Sequence, residues 1–232
     1  MLSSSYGYTD VIANDLSDAK VLNSFNEDFC ESGMTAKDLA SATDILNTPD
    51  SHAWHLVKNA ELATLTIGAN DLLPAIKLDL QLIAAAYSSD PSSVPGLLQK
   101  MHSDVSTIGA SVRANMETIL QNILNANKNV KIYVMGYYNP FTLMLSSYSA
   151  LMTPLNAELN NFNSYIQTAV NNVVSANKDV SITYVDTMGS IARNTSDYLS
   201  SVDIHPTIAG YETIADDFWP YIEQDLHALN YK

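Results

Sequence analysis

Four short apolar runs, residues 19–25, 62–68, 130–137 and 180–185, are rich in β-branched or aromatic side chains and alternate with stretches of helical hydrophobic period. Runs this short and this continuously apolar suit strands buried on both faces, which is the condition of a parallel sheet. The intervening helical patterns cover residues 8–16, 35–46, 72–126, 156–176 and 207–226. Alternation of this kind forces right-handed βαβ crossovers and places helices on both faces of the sheet. The expected fold is therefore α/β, a three-layer α/β/α sandwich. With 232 residues, 47% of them hydrophobic, the chain suits one domain spanning 1–232. The breaker cluster Asp90-Pro91-Ser92-Ser93-Val94-Pro95-Gly96 divides the long middle pattern into helices over 72–87 and 97–126, joined by a loop.

The formal charge of −14 argues against nucleic acid or an anionic membrane as partner, since both need a basic footprint. No apolar run is long enough to span a membrane, and residues 1–5 show neither the basic nor the apolar part of a signal peptide. The abundance of Asn, Ser and Thr over Lys suits a secreted bacterial protein. Cys30 is the only cysteine, which removes intramolecular disulfides and multi-cysteine zinc sites, and the nearby Asp28 and Glu31 disfavour its thiolate. Phosphate-binding glycine loops are absent, so no nucleotide cofactor is expected.

Two stretches carry chemistry. In Asp203-Ile204-His205-Pro206 the proline holds His205 extended at the entrance to the last helix, where it can project as a base. Asp203 can accept the Nδ1 proton and leave Nε2 free to take a proton from a nucleophile. In Gly68-Ala69-Asn70-Asp71, at the end of a strand, Asn70 offers an amide donor of the kind that stabilises an oxyanion. Asp71 reads as a cap for the helix that follows.

These residues resemble the SGNH or GDSL family of lipases, esterases and acylhydrolases, whose third block reads Gly-x-Asn-Asp and whose last block ends in His-Pro. Ser32-Gly33-Met34-Thr35-Ala36-Lys37-Asp38-Leu39 is similar to the second block, and Tyr138-Asn139-Pro140-Phe141 to a segment of one bacterial branch. The likeness runs from about Tyr6 to the last helix. It implies a flavodoxin-like sheet, a cofactor-free and metal-free acyl-enzyme mechanism with His205 and Asp203 as catalytic pair, and an oxyanion hole from the Gly33 backbone and Asn70. It implies a small-molecule, lipid or acetylated-sugar ester as substrate.

The family's first block, Gly-Asp-Ser, is missing, so its serine is expected upstream of Met1, and the central strand that precedes it is expected to be missing too. Ser3, Ser4 and Ser5 lack both the preceding strand and the Asp neighbour. The family's acid stands three residues before the histidine; here Val202 holds that position, so either Asp203 reaches the ring from one place later or a backbone carbonyl orients it. The rival to an esterase is a non-catalytic binding or scaffold protein that kept the fold.

Other candidates read as structural. His52 and His55 are spaced as a metal pair on a short helix around Trp54, with no third ligand in sight. Asp186 suits a turn cap, and Tyr211, Phe218, Trp219 and Tyr221 suit the core stripe of the last helix. Apolar residues following Asn70 could overhang the site and shape an acyl pocket, as lids do, although ordinary crossover helices explain them as well.

Overall fold

The computed structural model of the chain describes residues 6–228. In chain order the elements are α1 (Tyr8–Asp18), α2 (Ala36–Thr43), α3 (His52–Asn59), β1 (Leu62–Leu65), α4 (Ala69–Ser89), α5 (Val94–Ala126), β2 (Lys131–Met135), α6 (Met152–Ala176), β3 (Ser181–Val185), α7 (Met188–Ala192), α8 (Thr195–Tyr198) and α9 (Ile208–Ala228). The strands form one open parallel sheet in the order β1-β2-β3. Leu65 stands opposite Val134, and Met135 opposite Val185, so the strand ends align at their carboxyl side.

Successive residues of a strand face opposite ways, and here each face meets its own helical layer. On β2, Ile132 and Val134 join the core built with α2, α4, α5 and α6. Tyr133 and Met135 face the smaller core of α1, α7 and α9. This is the three-layer α/β/α arrangement expected from the alternation. β2 is buried along nearly its whole length, whereas the first three residues of β1 are only half-buried.

The expected strand at 19–25 is not formed. Helix α1 ends in a turn with Lys20 in the left-handed region at φ 60°. The amide of Lys20 donates to Ser17 O at 2.9 Å, and that of Val21 to Leu16 O at 3.0 Å, the two bonds of a Schellman cap. These amides close a helix and are not free for a ladder. Apolar Val21 and Leu22 still pack on the smaller core, which is the signal the pattern carried.

The breaker cluster is also shorter than expected. Helix α4 runs to Ser89, residues Pro91–Ser93 form one 3-10 turn, and Pro95 and Gly96 lie in the first turn of α5, where proline's missing N–H costs nothing. Phe218 is fully buried on α9, but Tyr221 is 42% exposed and does not belong to the core stripe.

Candidate active site

The sheet's carboxyl ends open onto a cavity of about 280 Å³, the side on which open α/β sheets bind ligands. Asn70 and His205 both line it, carried by two separate segments that form an Asn70 lip and a His205 lip.

The Asn70 lip begins with Gly68, whose φ of 120° lets the chain turn from β1 directly into α4. A Cβ at this position would lie 2.9 Å from Val112 Cγ1 and 3.3 Å from Phe162 Cζ, so the turn is pressed into the core. Three bonds then fix the first turn of α4. The Ala69 amide donates to the Tyr137 hydroxyl at 3.1 Å. Asn70 Nδ2 donates to Met34 O at 3.0 Å. Asp71 Oδ2 accepts from the Ala36 amide at 2.8 Å. Asp71 thus caps the start of α2, not the helix it stands in as expected. Burial pushes its carboxyl above the ordinary aspartate range, against the lowering effect of that bond. Asn70 spends one amide hydrogen on Met34 and retains the second.

Gly33, at φ 85° in an exposed loop, is not among the residues lining the cavity, whereas its neighbour Met34 is. The structure therefore ties the Gly33 loop to Asn70 through Met34 without placing Gly33 itself on the wall.

The His205 lip is the corner before α9. Asp203 Oδ1 accepts from His205 Nδ1 at 2.8 Å, so the acid reaches the ring from two residues upstream. That bond holds the Asp203 carboxyl below the ordinary aspartate range. Both side chains are open to water, at 67% and 56% exposure for His205 and Asp203. With Nδ1 carrying its hydrogen toward Asp203, Nε2 is the basic nitrogen. The Tyr138 hydroxyl donates to Ile204 O at 3.2 Å and anchors the corner from the loop after β2. Helix α9 starts later than the motif suggests, with Thr207 Oγ1 accepting from the Gly210 amide at 3.1 Å, so Pro206 precedes the cap and pairs with Leu199 in an isolated bridge.

Sequence reasoning missed Tyr137, Tyr8 and Thr66, and it singled out Tyr138 only as part of the bacterial-branch segment. Asn163 grips Tyr137 by both backbone groups at 2.7 Å, which sets the hydroxyl that meets Ala69. Tyr8 and Thr66 share a 2.5 Å hydrogen bond at the cavity wall, and burial pushes the Tyr8 phenol up to about 12. The available signal was a pair of tyrosines directly after a strand, at the end where such sheets bind ligands. The Asn139 of the bacterial-branch segment is buried and donates to Asn156, which leaves Pro140 and Phe141 on the wall.

The remaining candidates lie elsewhere. His52 approaches Asp28 at 3.4 Å and His55 approaches Asp50 at 3.6 Å, and no cluster of three metal-ligating side chains occurs among the described residues. Cys30 is exposed, and partial burial of the thiol with Glu27 and Asp10 nearby raises its pKa. Asp186 accepts from the Met188 amide at 3.1 Å, a turn cap as expected. No helix among the described residues is long and apolar enough to cross a membrane. Ser3, Ser4 and Ser5 lie outside the described residues.

The open parallel sheet, with a His–Asp pair and an asparagine amide at its carboxyl ends, defines a protein of the three-layer α/β/α class. The profile of the GDSL-like lipase/acylhydrolase family matches residues 3–213, and the chain belongs to this family. No curated protein sequence matches it. Among solved structures it is similar to the lipase Lip_vut3 from a goat rumen metagenome, at 17% identity and a TM-score of 0.67, covering 94% of this chain and 88% of the other. It is also similar to the family 3 carbohydrate esterase of Clostridium thermocellum, with 19% identity, a TM-score of 0.55 and coverage of 98% and 92%. The family 3 carbohydrate esterase of Talaromyces cellulolyticus gives 15% identity, a TM-score of 0.56 and coverage of 96% and 92%. At these identities the likeness establishes the fold.

Proposed function

We propose that the chain is the body of a serine ester hydrolase working through an acyl-enzyme. The observation that carries this reading is the His205–Asp203 bond of 2.8 Å on one lip of a cavity whose other lip carries Asn70. His205 Nε2 takes the proton of the attacking hydroxyl and returns it to the leaving alkoxide, while Asp203 holds the ring in the required tautomer. The second amide hydrogen of Asn70, together with the Gly33 backbone once its loop closes on Asn70, binds the oxyanion. Water then enters along the same path and releases the acid.

Among residues 6–228 the cavity is lined by no serine or cysteine, and its one threonine, Thr66, has its hydroxyl engaged by Tyr8, so this reading takes the attacking hydroxyl from elsewhere. The same observation favours the second reading, a binding protein that retains the fold without turnover. Hydrolysis of 4-nitrophenyl acetate separates the two. The 232-residue chain is expected to give no rate above background, and a version extended upstream with a Gly-Asp-Ser segment is expected to hydrolyse the ester. In that version His205→Ala should lower kcat by about 10³-fold or more, and Asn70→Ala by about 10²-fold. Turnover indifferent to His205→Ala would end the catalytic reading.

A further inference from the structure

The cavity divides sharply by chemistry. Its rim carries Asn70 and His205, and its walls are hydrocarbon: Leu72, Leu73 and Ile76 on the first turns of α4, Leu159 and Phe162 on α6, and Phe141 after β2. Ile76 and Phe162 are at most 1% exposed, so these walls belong to the main core rather than to a surface groove. Leu73 is only half-buried, which places it nearer the mouth.

Several of the hydroxyls on the inner surface are engaged by protein partners. The Tyr8 hydroxyl pairs with Thr66, and the Tyr137 hydroxyl accepts from the Ala69 amide. Among the described residues no Lys, Arg or Asp lines the cavity, and Glu31 is its one carboxylate. Ordered water needs two to four polar partners, which the hydrocarbon stretch of the wall does not supply, and the hydroxyls of a sugar ring laid along it would be left unpaired. An acetyl group would cover only a fraction of the hydrocarbon. A cavity of about 280 Å³ holds on the order of nine groups of water size at ~30 Å³ each.

We propose that the occupant is an unbranched acyl chain of about four to eight carbons, lying along Leu73, Ile76 and Leu159 with its carbonyl between Asn70 and His205. The ester-hydrolase reading then acquires a substrate class, since medium-chain acyl esters become the substrates in place of acetylated sugars, and to that extent the inference rests on that reading. The cavity's contribution to binding is independent of any nucleophile. Each methylene moved from water to the wall tightens binding by about fourfold, the equivalent of 0.8 kcal/mol. Glu31 and the absence of a cation make the ester, or a neutral amide in its place, a better ligand than the free carboxylate.

The test uses the 232-residue chain and neutral amides. Acetamide, butanamide, hexanamide, octanamide and dodecanamide are titrated by calorimetry, with amide NMR shifts recorded on α4. Affinity is expected to rise about fourfold per methylene up to six or eight carbons and then to level off. Leu73→Trp, at the mouth, is expected to weaken octanamide at least tenfold. Should that variant misfold by circular dichroism, Leu73→Ser serves, with a smaller loss of the same chain-length dependence. A flat series, or a series untouched by either folded variant, overturns the assignment.

Ester kinetics of the upstream-extended form keep the two readings apart. Hydrolysis fastest for the acetate, with no octanamide binding, removes the acyl pocket and leaves the hydrolase. Chain-length-dependent amide binding without ester turnover in any form keeps the pocket and removes the hydrolase.

Discussion

The two lips of the cavity are built on different principles. The Asn70 lip is held by three bonds to two distant segments, from Ala69 to Tyr137, and from Asn70 and Asp71 to Met34 and Ala36, behind a glycine turn pressed against Val112 and Phe162. The His205 lip is local. Its acid stands two residues from its histidine, both side chains are more than half exposed, and Tyr138 supplies the bond from another segment. Positioning of the oxyanion donor is thus coupled to global stability, whereas positioning of the base is nearly independent of it. Substitutions on the first lip should therefore unfold the protein, and those on the second should leave it standing.

The largest effect is expected from Gly68→Ala. The left-handed backbone costs 1–3 kcal/mol for any side chain, and the new Cβ would also crowd Val112. A loss of about 3 kcal/mol in urea unfolding is expected, or roughly 6–12 °C in Tm. Gly33→Ala is the control, since it meets the same φ restriction with nothing within 4 Å of the added carbon. It should cost about 1 kcal/mol. Equal losses at the two glycines would break the distinction between the lips.

Tyr137→Phe comes next. It strips the Ala69 amide of its acceptor at the start of α4, and a loss of about 1–2 kcal/mol in the urea unfolding free energy is expected. Asp71→Ala should cost about 1 kcal/mol, because the α2 terminus loses a cap contributed by another helix. Since it acts at Ala36, the loss should appear first as faster hydrogen exchange in α2, while α9 stays protected.

The same division governs what could be read from the sequence. The runs over 62–68, 130–137 and 180–185 were legible because β-branched residues buried on both faces leave a continuous apolar signature, and β1, β2 and β3 formed there. Residues 19–25 carry a similar signature for a different reason, since Val21 and Leu22 pack on the core while their amides close α1. Hydropathy reports burial and is blind to where the amides go. The His205–Asp203 pair was legible because its geometry is local. The role of Asp71 was not, for its partner Ala36 lies 35 residues away on another helix. Of the apolar wall, the part on α4 could be suspected from the apolar residues that follow Asn70, whereas the parts on α6 and in the loop after β2 could not, since they lie about 70 to 90 residues further along the chain.

The smallest effect on folding, and the sharpest contrast, is expected at Asp203. Hydrogen bonding to His205 lowers its folded pKa, so it contributes stability above the unfolded aspartate pKa, and that contribution is lost as pH falls through the lower folded value. Asp71 behaves in the opposite sense. Burial raises its folded pKa, so its contribution is complete below the unfolded pKa and disappears as pH rises through the folded value. Carbon-detected NMR titration of the two carboxyls should place the Asp71 midpoint above, and the Asp203 midpoint below, that of an unstructured aspartate. Solvent screening keeps the Asp203 contribution small, and Asp203→Asn should move the urea unfolding free energy by about 0.5 kcal/mol or less at neutral pH. A loss as large as that of Asp71→Ala would show that the His205 corner is tied into the fold as firmly as the Asn70 turn, and that the base and the oxyanion donor are positioned by one cooperative unit.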